Sequence, residues 1–174
     1  MKIKINEAVC TGCKSCELAC SASHSGDFSP ERSRIRITNK AIVGESLISL
    51  CCRCADHRCV AACTYEACTW NEATNVVHID YELCNGCYAC VDACEFHAAF
   101  VDPVRHVPLI CDFCGGDPMC VKFCYKQAIQ PDHSSLPGPE NAADLGCLRR
   151  TLKTEWPAAG VQSLGTPRPV SLGA

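Results

Sequence analysis

Aromatic side chains are scarce in this sequence. Its 174 residues include two Trp, four Tyr and five Phe, 6% in all, which is little material for an ordinary apolar core. The 48% hydrophobic fraction does not make up the shortfall, because 19 of those residues are Cys. No window approaches the ~20 apolar residues of a membrane span. The start, "MKIKINEAVC", has no apolar h-region, no twin arginine and no cleavage site. A formal charge of −3 leaves no basic surplus for holding nucleic acid. Catalytic signatures are missing too: no G-x-G-x-x-G or Walker loop, no H-E-x-x-H, no nucleophile elbow. These absences point to a cytoplasmic, non-catalytic protein with no membrane span and no nucleic-acid partner.

What the chain has in excess is cysteine, about 11% of residues. Such a share marks a disulfide scaffold or a metal protein. The odd total argues against a closed disulfide framework. Without a route to an oxidising compartment, dense cysteines read as metal ligands. Sixteen fall into four blocks: Cys10, Cys13, Cys16 and Cys20; Cys51, Cys54, Cys59 and Cys63; Cys84, Cys87, Cys90 and Cys94; and Cys111, Cys114, Cys120 and Cys124. Cys52, Cys68 and Cys147 are left over. The arrangement is an internal repeat of one ligand loop followed by a linker of variable length.

Between the blocks, the predicted elements are short. "KIKI" at 2–5 and "VVHID" at 76–80 read as strands, and "TWNEATNVVHIDYELC" as a hairpin turning near Glu72–Asn75. The stretches around each fourth Cys suit one or two helical turns. "RSRIRI" alternates strictly and would set Arg32, Arg34 and Arg36 opposite Ile35 and Ile37 if extended. Six of the ten prolines lie in 131–174. That region reads as a linker (131–139), a short helix within 140–156 and an extended arm.

A cubane four-iron cluster needs four thiolates at roughly tetrahedral corners. A C-x2-C-x2-C loop can wrap one face, but the fourth ligand must come from elsewhere. In bacterial two-cluster ferredoxins the Cys after an x3 gap ligates the other cluster. Blocks one and three match C-x2-C-x2-C-x3-C in full. Blocks two and four are C-x2-C-x4-C-x3-C and C-x2-C-x5-C-x3-C, and the x3 step is kept throughout. Zinc ribbons use two C-x2-C pairs per ion and do not insert further Cys at x2 and x3. Ligand number and softness therefore favour iron–sulfur over zinc.

The quartet of motifs resembles the ferredoxin-like electron-transfer subunits of complex iron–sulfur oxidoreductases. That family serves molybdenum and tungsten enzymes, hydrogenases and carbon monoxide dehydrogenases, and the resemblance covers about residues 1–130. It implies an α+β fold of two pseudo-symmetric modules, each holding two 4Fe–4S clusters, with a cluster-dominated core and an extended C-terminal arm. The outer module would come from 1–50 and 105–130, the inner from 51–104. The resemblance also implies the pairing. Cys10, Cys13 and Cys16 would hold one cluster with Cys124, and Cys111, Cys114 and Cys120 another with Cys20. Cys51, Cys54 and Cys59 would join Cys94, while Cys84, Cys87 and Cys90 join Cys63. Spacing alone supports this in part: the twenty residues between Cys63 and Cys84 suit one hairpin in a compact inner module. A sequential pairing, first block with second and third with fourth, stays open on spacing. One departure is that ferredoxin motifs usually carry Pro after the fourth Cys, where this chain has Ser21, Thr64, Glu95 and Tyr125.

The implied role is a wire of four 4Fe–4S clusters between a catalytic subunit and a second redox subunit or acceptor. The start, the insertion before block two and the Pro-rich tail most resemble the small subunit of a tungsten aldehyde oxidoreductase. The implied partners are a tungstopterin or molybdopterin subunit, a flavin- or NAD-binding subunit, and a second copy gripped by the tail. The competing readings are a free polyferredoxin, a carbon monoxide dehydrogenase or hydrogenase subunit, and an assembly protein stapled by its clusters. Cys52, Cys68 and Cys147 read as small fillers, and the six His as surface or loop residues, with any near a cluster able to modulate its potential. Arg32, Arg34 and Arg36 read as a solvated strand face, with docking to an acidic partner as the alternative. Four oxidised clusters would carry the chain from −3 to roughly −11, which gives such cations a screening role. Metal and sulfide analysis of anaerobically purified protein is expected to give about sixteen Fe and about sixteen S per chain; zinc, or half that iron, would overturn the four-cluster reading.

Overall fold

The computed structural model describes residues 2–40 and 44–132. The short helix and extended arm expected beyond the linker, like Cys147, lie outside the described residues. Among the described residues, eight short strands pair into four separate two-stranded antiparallel ribbons. They are β1 (Lys2–Ile5) with β8 (Ile129–Asp132), β2 (Arg36–Lys40) with β3 (Glu45–Ser49), β4 (Cys68–Asn71) with β5 (Val76–Ile79), and β6 (Phe100–Val101) with β7 (Pro108–Leu109). Helix α1 (Ser15–Ser25) has 11 residues, while α2 (Arg58–Ala61), α3 (Ala89–Asp92) and α4 (Met119–Lys122) are single turns. No described helix is long and apolar enough to cross a membrane.

The β4–β5 hairpin forms where its sequence calls for it. Asn71 Oδ1 accepts the amides of Ala73 and Thr74 and closes the turn, and Asn75 takes the left-handed conformation that Asn tolerates. Chain-end pairing, by contrast, has no local signal. Ile5 sits opposite Ile129, so the first and fourth cysteine blocks are held side by side. Accordingly α1 packs on α4, and α2 on α3. The expected Arg/Ile strand is shorter than its alternation suggests. Arg32 ends a 3-10 turn that starts at Pro30, and pairing begins at Arg36, opposite Ser49. The proline at the first position of that turn fixes φ and removes a donor, which suits a turn rather than a ladder.

Two apolar clusters form the interior. One gathers Ile35, Ile37, Ile48, Leu50, Phe113 and Ile129 around Cys16, Cys20, Cys111 and Cys120. The other gathers Val77, Ile79, Ala99 and Ile110 around Cys68 and Cys90. Cys51 packs against both. With so few large side chains, each buried isoleucine matters, at roughly 1.5–3 kcal/mol. Ile48 is fully buried, and its amide donates to Glu7 Oε1, which ties β3 to the first cysteine loop. Ile48→Ala is expected to cost about 2–5 kcal/mol, read as a lowered denaturation midpoint of the anaerobic protein with its iron retained.

Candidate iron–sulfur sites

Each cysteine loop bends the same way. The residue just before the second Cys has positive φ in all four blocks: Gly12, Arg53, Gly86 and Phe113. In blocks one and three it is glycine for a second reason. A Cβ on Gly86 would lie 2.8 Å from the His106 carbonyl oxygen, and one on Gly12 would collide with Asn39. Two residues before the third Cys, Lys14, His57 and Tyr88 are also left-handed and start α1, α2 and α3; block four has Pro118 there instead. Three residues after the fourth Cys, Glu66, His97 and Gln127 repeat the left-handed turn, each donating its amide to that cysteine's carbonyl. Only in block one does the helix run on, through Cys20 to Ser25.

These turns aim the thiols inward, and the structure brings them together across blocks. Cys10, Cys13 and Cys16 line one cavity with Cys124. Cys51, Cys54 and Cys59 line another with Cys94, and Cys84, Cys87 and Cys90 a third with Cys63. The three spaces are alike in being small, with apolar walls apart from their thiols. Cys111, Cys114, Cys120 and Cys20 gather as well. Cys20 and Cys114 are the sulfur neighbours of Cys120, and His24 bonds to both Cys20 and Cys114. All sixteen sequence-predicted residues thus stand in foursomes of three plus one.

The residues standing where ferredoxins carry Pro help to hold these pairs. Tyr125 Oη lies 3.1 Å from Thr11 Oγ1, linking blocks four and one. Glu95 pairs with Arg58, linking blocks three and two. Ser21, fully buried, instead accepts the Ser29 amide and donates to the Leu18 carbonyl, anchoring α1 to the turn that follows it.

The donor set suits an iron–sulfur cluster. Burial raises the thiols of Cys16, Cys51 and Cys120 to about 12 and Cys90 to about 11, with neighbouring sulfurs adding to the effect. Cys111, wholly buried, is pushed well above the usual thiol range. Four thiolates crowded at one buried point repel each other and stay protonated unless a cation takes them. Four soft sulfur donors per site fit iron–sulfur chemistry; at the second foursome the His24 imidazole and the Asp112 carboxylate also come within 4.8 Å of Cys114 Sγ and of each other.

Comparison with known proteins agrees. Residues 77–100 match the 4Fe–4S binding domain family. Over 124 residues the chain is 38% identical to the aliphatic sulfonate oxidoreductase polyferredoxin-like subunit of Pyrococcus furiosus, with 71% of each sequence covered. This chain belongs to the polyferredoxin-like iron–sulfur electron-transfer subunits. It is also 30% identical over 137 residues to a component of the polysulfide reductase of Wolinella succinogenes, again with 71% of each sequence covered. The thiosulfate reductase electron transfer subunit PhsB of Salmonella typhi is 28% identical over 138 residues, 72% of this chain and 71% of that one. One component of the zinc-bound BamBC complex of benzoyl coenzyme A reductase aligns over 84% of this chain and 86% of its own length, at 22% identity and a TM-score of 0.45.

Several residues of this polyferredoxin-like subunit stand elsewhere than the sequence suggested. Arg32 and Arg34 are 15% and 13% exposed, so they do not form a solvated face. Arg32 pairs with Asp27 and the buried Asp102, and Arg34 with Asp112. Arg36 bonds the carbonyls of Pro30 and Glu31 and lies 5.0 Å over the Phe100 ring. Asp102 and Asp112 come from far along the chain and the other acceptors from the turn just before the strand, neither of which alternation could reveal. His24 is no ordinary loop residue. Nδ1 faces the Cys20 carbonyl at 2.8 Å and Nε2 faces Asp112 Oδ1 at 3.0 Å. The Asp112 bond, then those to Cys114 and Cys20, push the imidazole up to about 12. Burial raises the Cys20 thiol, but His24 and the Arg34 amide, 3.3 Å from Sγ, bring it below its usual value. The one sequence signal for His24 was its place four residues after Cys20 on a helical stretch.

Cys68 is buried, as expected of a filler, yet it lines the Cys63–Cys84–Cys87–Cys90 cavity and, as a close neighbour of Cys59, lowers that thiol while its own is raised. Cys52 is only half-buried, lines the Cys51 cavity and bonds Cys54. The shared cavities give a sharp test of pairing. Cys94→Ala is expected to remove or convert one cluster, measured by iron content and EPR. Adding Cys51→Ala should cost little more, whereas adding Cys84→Ala should disturb a second cluster. A sequential pairing predicts no such grouping.

Proposed function

We propose that this subunit conducts electrons through four 4Fe–4S clusters held by the sixteen cysteines in two pseudo-symmetric modules. One module would use blocks one and four, the other blocks two and three. A 4Fe–4S cluster takes up and releases one electron; the chain's own residues hold, order and shelter it. The observation that carries the reading is the order of the foursomes. Cys16 of the first has Cys120 of the second as a neighbour. Cys111 of the second has Cys51 of the third, and Cys90 of the fourth has Cys59 of the third. The foursomes therefore run in a line: Cys10–Cys13–Cys16–Cys124, Cys20–Cys111–Cys114–Cys120, Cys51–Cys54–Cys59–Cys94, Cys63–Cys84–Cys87–Cys90. Among the described cysteines, Cys13 and Cys87 are exposed, and they belong to opposite ends of that line.

Both ends also offer apolar surface to a partner. Phe123 and Tyr125 are exposed beside the Cys13 cavity, and Tyr65 beside the Cys87 cavity, with exposed Leu83 next to Cys84 along the chain. One end would meet a catalytic oxidoreductase subunit, the other a flavin- or NAD-binding subunit or an acceptor. The relatives named as parts of aliphatic sulfonate, polysulfide and thiosulfate enzymes support a catalytic partner of this class. A tungsten or molybdenum aldehyde oxidoreductase remains our reading of that partner, on the resemblance of the chain's organisation, and a cytoplasmic location goes with it. Anaerobic purification from the native source is expected to bring down a much larger subunit containing tungsten or molybdenum. Elution alone near the chain's 18.8 kDa would favour the free carrier. Reversible reduction of the clusters in potentiometric EPR is expected; redox-inert clusters would leave only the structural reading.

A further inference from the structure

The charges around the line are uneven. At the second foursome, His24 meets acceptors at both ring nitrogens, a carbonyl and a carboxylate, which suits the doubly protonated cation. Its Nδ1 lies 3.8 Å from Cys20 Sγ. Arg34 holds the other oxygen of Asp112 and donates its amide to the same sulfur. Arg36, half-buried, brings a further cation into electrostatic reach of Cys20, and Arg53 lies between sites, nearest in effect to Cys51 of the third foursome and then to Cys111. One part-exposed carboxylate, Asp112, stands against them.

The first foursome has the opposite neighbour. Glu17 follows Cys16 and is 1% exposed. Its Oε1 accepts the Ile37 amide, while Oε2 has no hydrogen-bond partner. Lys14 Nζ approaches to 3.8 Å, but its side chain is 47% exposed and its charge is screened by water. Arg36 also reaches Glu17 and offsets part of its field. Glu17 and His24 stand in the first and last turns of the same helix, α1. The helix's own end charges, about half a unit each, are opposite in sign to an ionised Glu17 and a protonated His24, and smaller than a unit charge.

We propose that α1 builds a potential step between neighbouring sites: His24 and Arg34 raise the reduction potential at Cys20–Cys111–Cys114–Cys120, while Glu17 lowers it at Cys10–Cys13–Cys16–Cys124. An added electron then rests on the second site, and the first stays oxidised and ready to receive. Positive groups and N–H donors near cluster sulfurs favour the reduced form, which carries one more negative charge, and a buried carboxylate disfavours it. The three side chains act through charge and do not touch the inorganic core, so they are positioning residues.

This inference rests on the four-cluster reading, and one experiment separates the two. The full-length holoprotein is titrated anaerobically by potentiometric EPR, with iron and sulfide measured on each variant. His24→Gln and Arg34→Gln are expected to lower the same single midpoint, each by about tenfold in the reduced-to-oxidised ratio at fixed potential, or ~59 mV for one electron. Glu17→Gln should raise a different midpoint. Arg34→Lys keeps the charge and should restore the unmodified value, and Lys4→Gln, at an exposed position on β1, should move neither midpoint. Unmoved midpoints, all midpoints moving together, or Glu17→Gln and His24→Gln shifting one midpoint in the same direction would overturn the step. Loss of iron in the His24 and Arg34 variants would show that they hold the loop and would overturn it too. Iron short of four clusters in the unmodified protein would instead defeat the four-cluster reading.

Discussion

Everything in this molecule follows from one electrostatic constraint. Thiolates gathered in a small, dry space cannot all keep their charge. Cys16, Cys51, Cys111 and Cys120 show the cost, with burial and sulfur neighbours holding their protons on. A cationic iron–sulfur core bound there would reverse that balance and add its binding energy to the stability of the fold. It also explains how so few aromatic residues suffice. Cysteines occupy places in both apolar clusters that larger side chains fill elsewhere.

Sharing a fourth thiol turns a chain of small loops into one body. A loop of three cysteines and a lent fourth must lie against its borrower, and the secondary structure accommodates this. α1 lies on α4, α2 on α3, and β1 on β8. The polar links follow the same pairs: Tyr125 with Thr11, Glu95 with Arg58, His24 with Asp112. The β6–β7 hairpin then leads from the third block into the fourth, and Ile110, beside Cys111, packs in the second apolar cluster.

The sequence makes the cysteine positions, the β4–β5 hairpin and the helical turns near each block legible, because each rests on residues close together along the chain. Spacing of x2 and x3 is a local geometric statement, and so is an Asn-centred turn. The pairing of β1 with β8 depends on residues more than a hundred positions apart and carries no local mark. The arginines show the limit most plainly. Arg34 belongs to a strand-like alternation by sequence, yet its environment is set by Asp112 in the fourth block. For His24 only the spacing of four from Cys20 was legible, because its other partner, Asp112, lies 88 positions away. Left-handed turns before the second Cys could be anticipated at Gly12 and Gly86 but not at Arg53 or Phe113, where the loop imposes the conformation on a side chain that resists it.

The crossing of the blocks also gives the molecule a timetable. During synthesis the chain emerges from its N-terminus, so the partners of block two are present once Cys94 has been made. In the proposed pairing Cys10, Cys13 and Cys16, though translated first, would wait for Cys124, and the β1–β8 ribbon that brings them together needs residues 129–132. The earliest thiols to leave the ribosome would thus be the last to find their companion, and a cluster at that loop would have to be completed after the far end arrives.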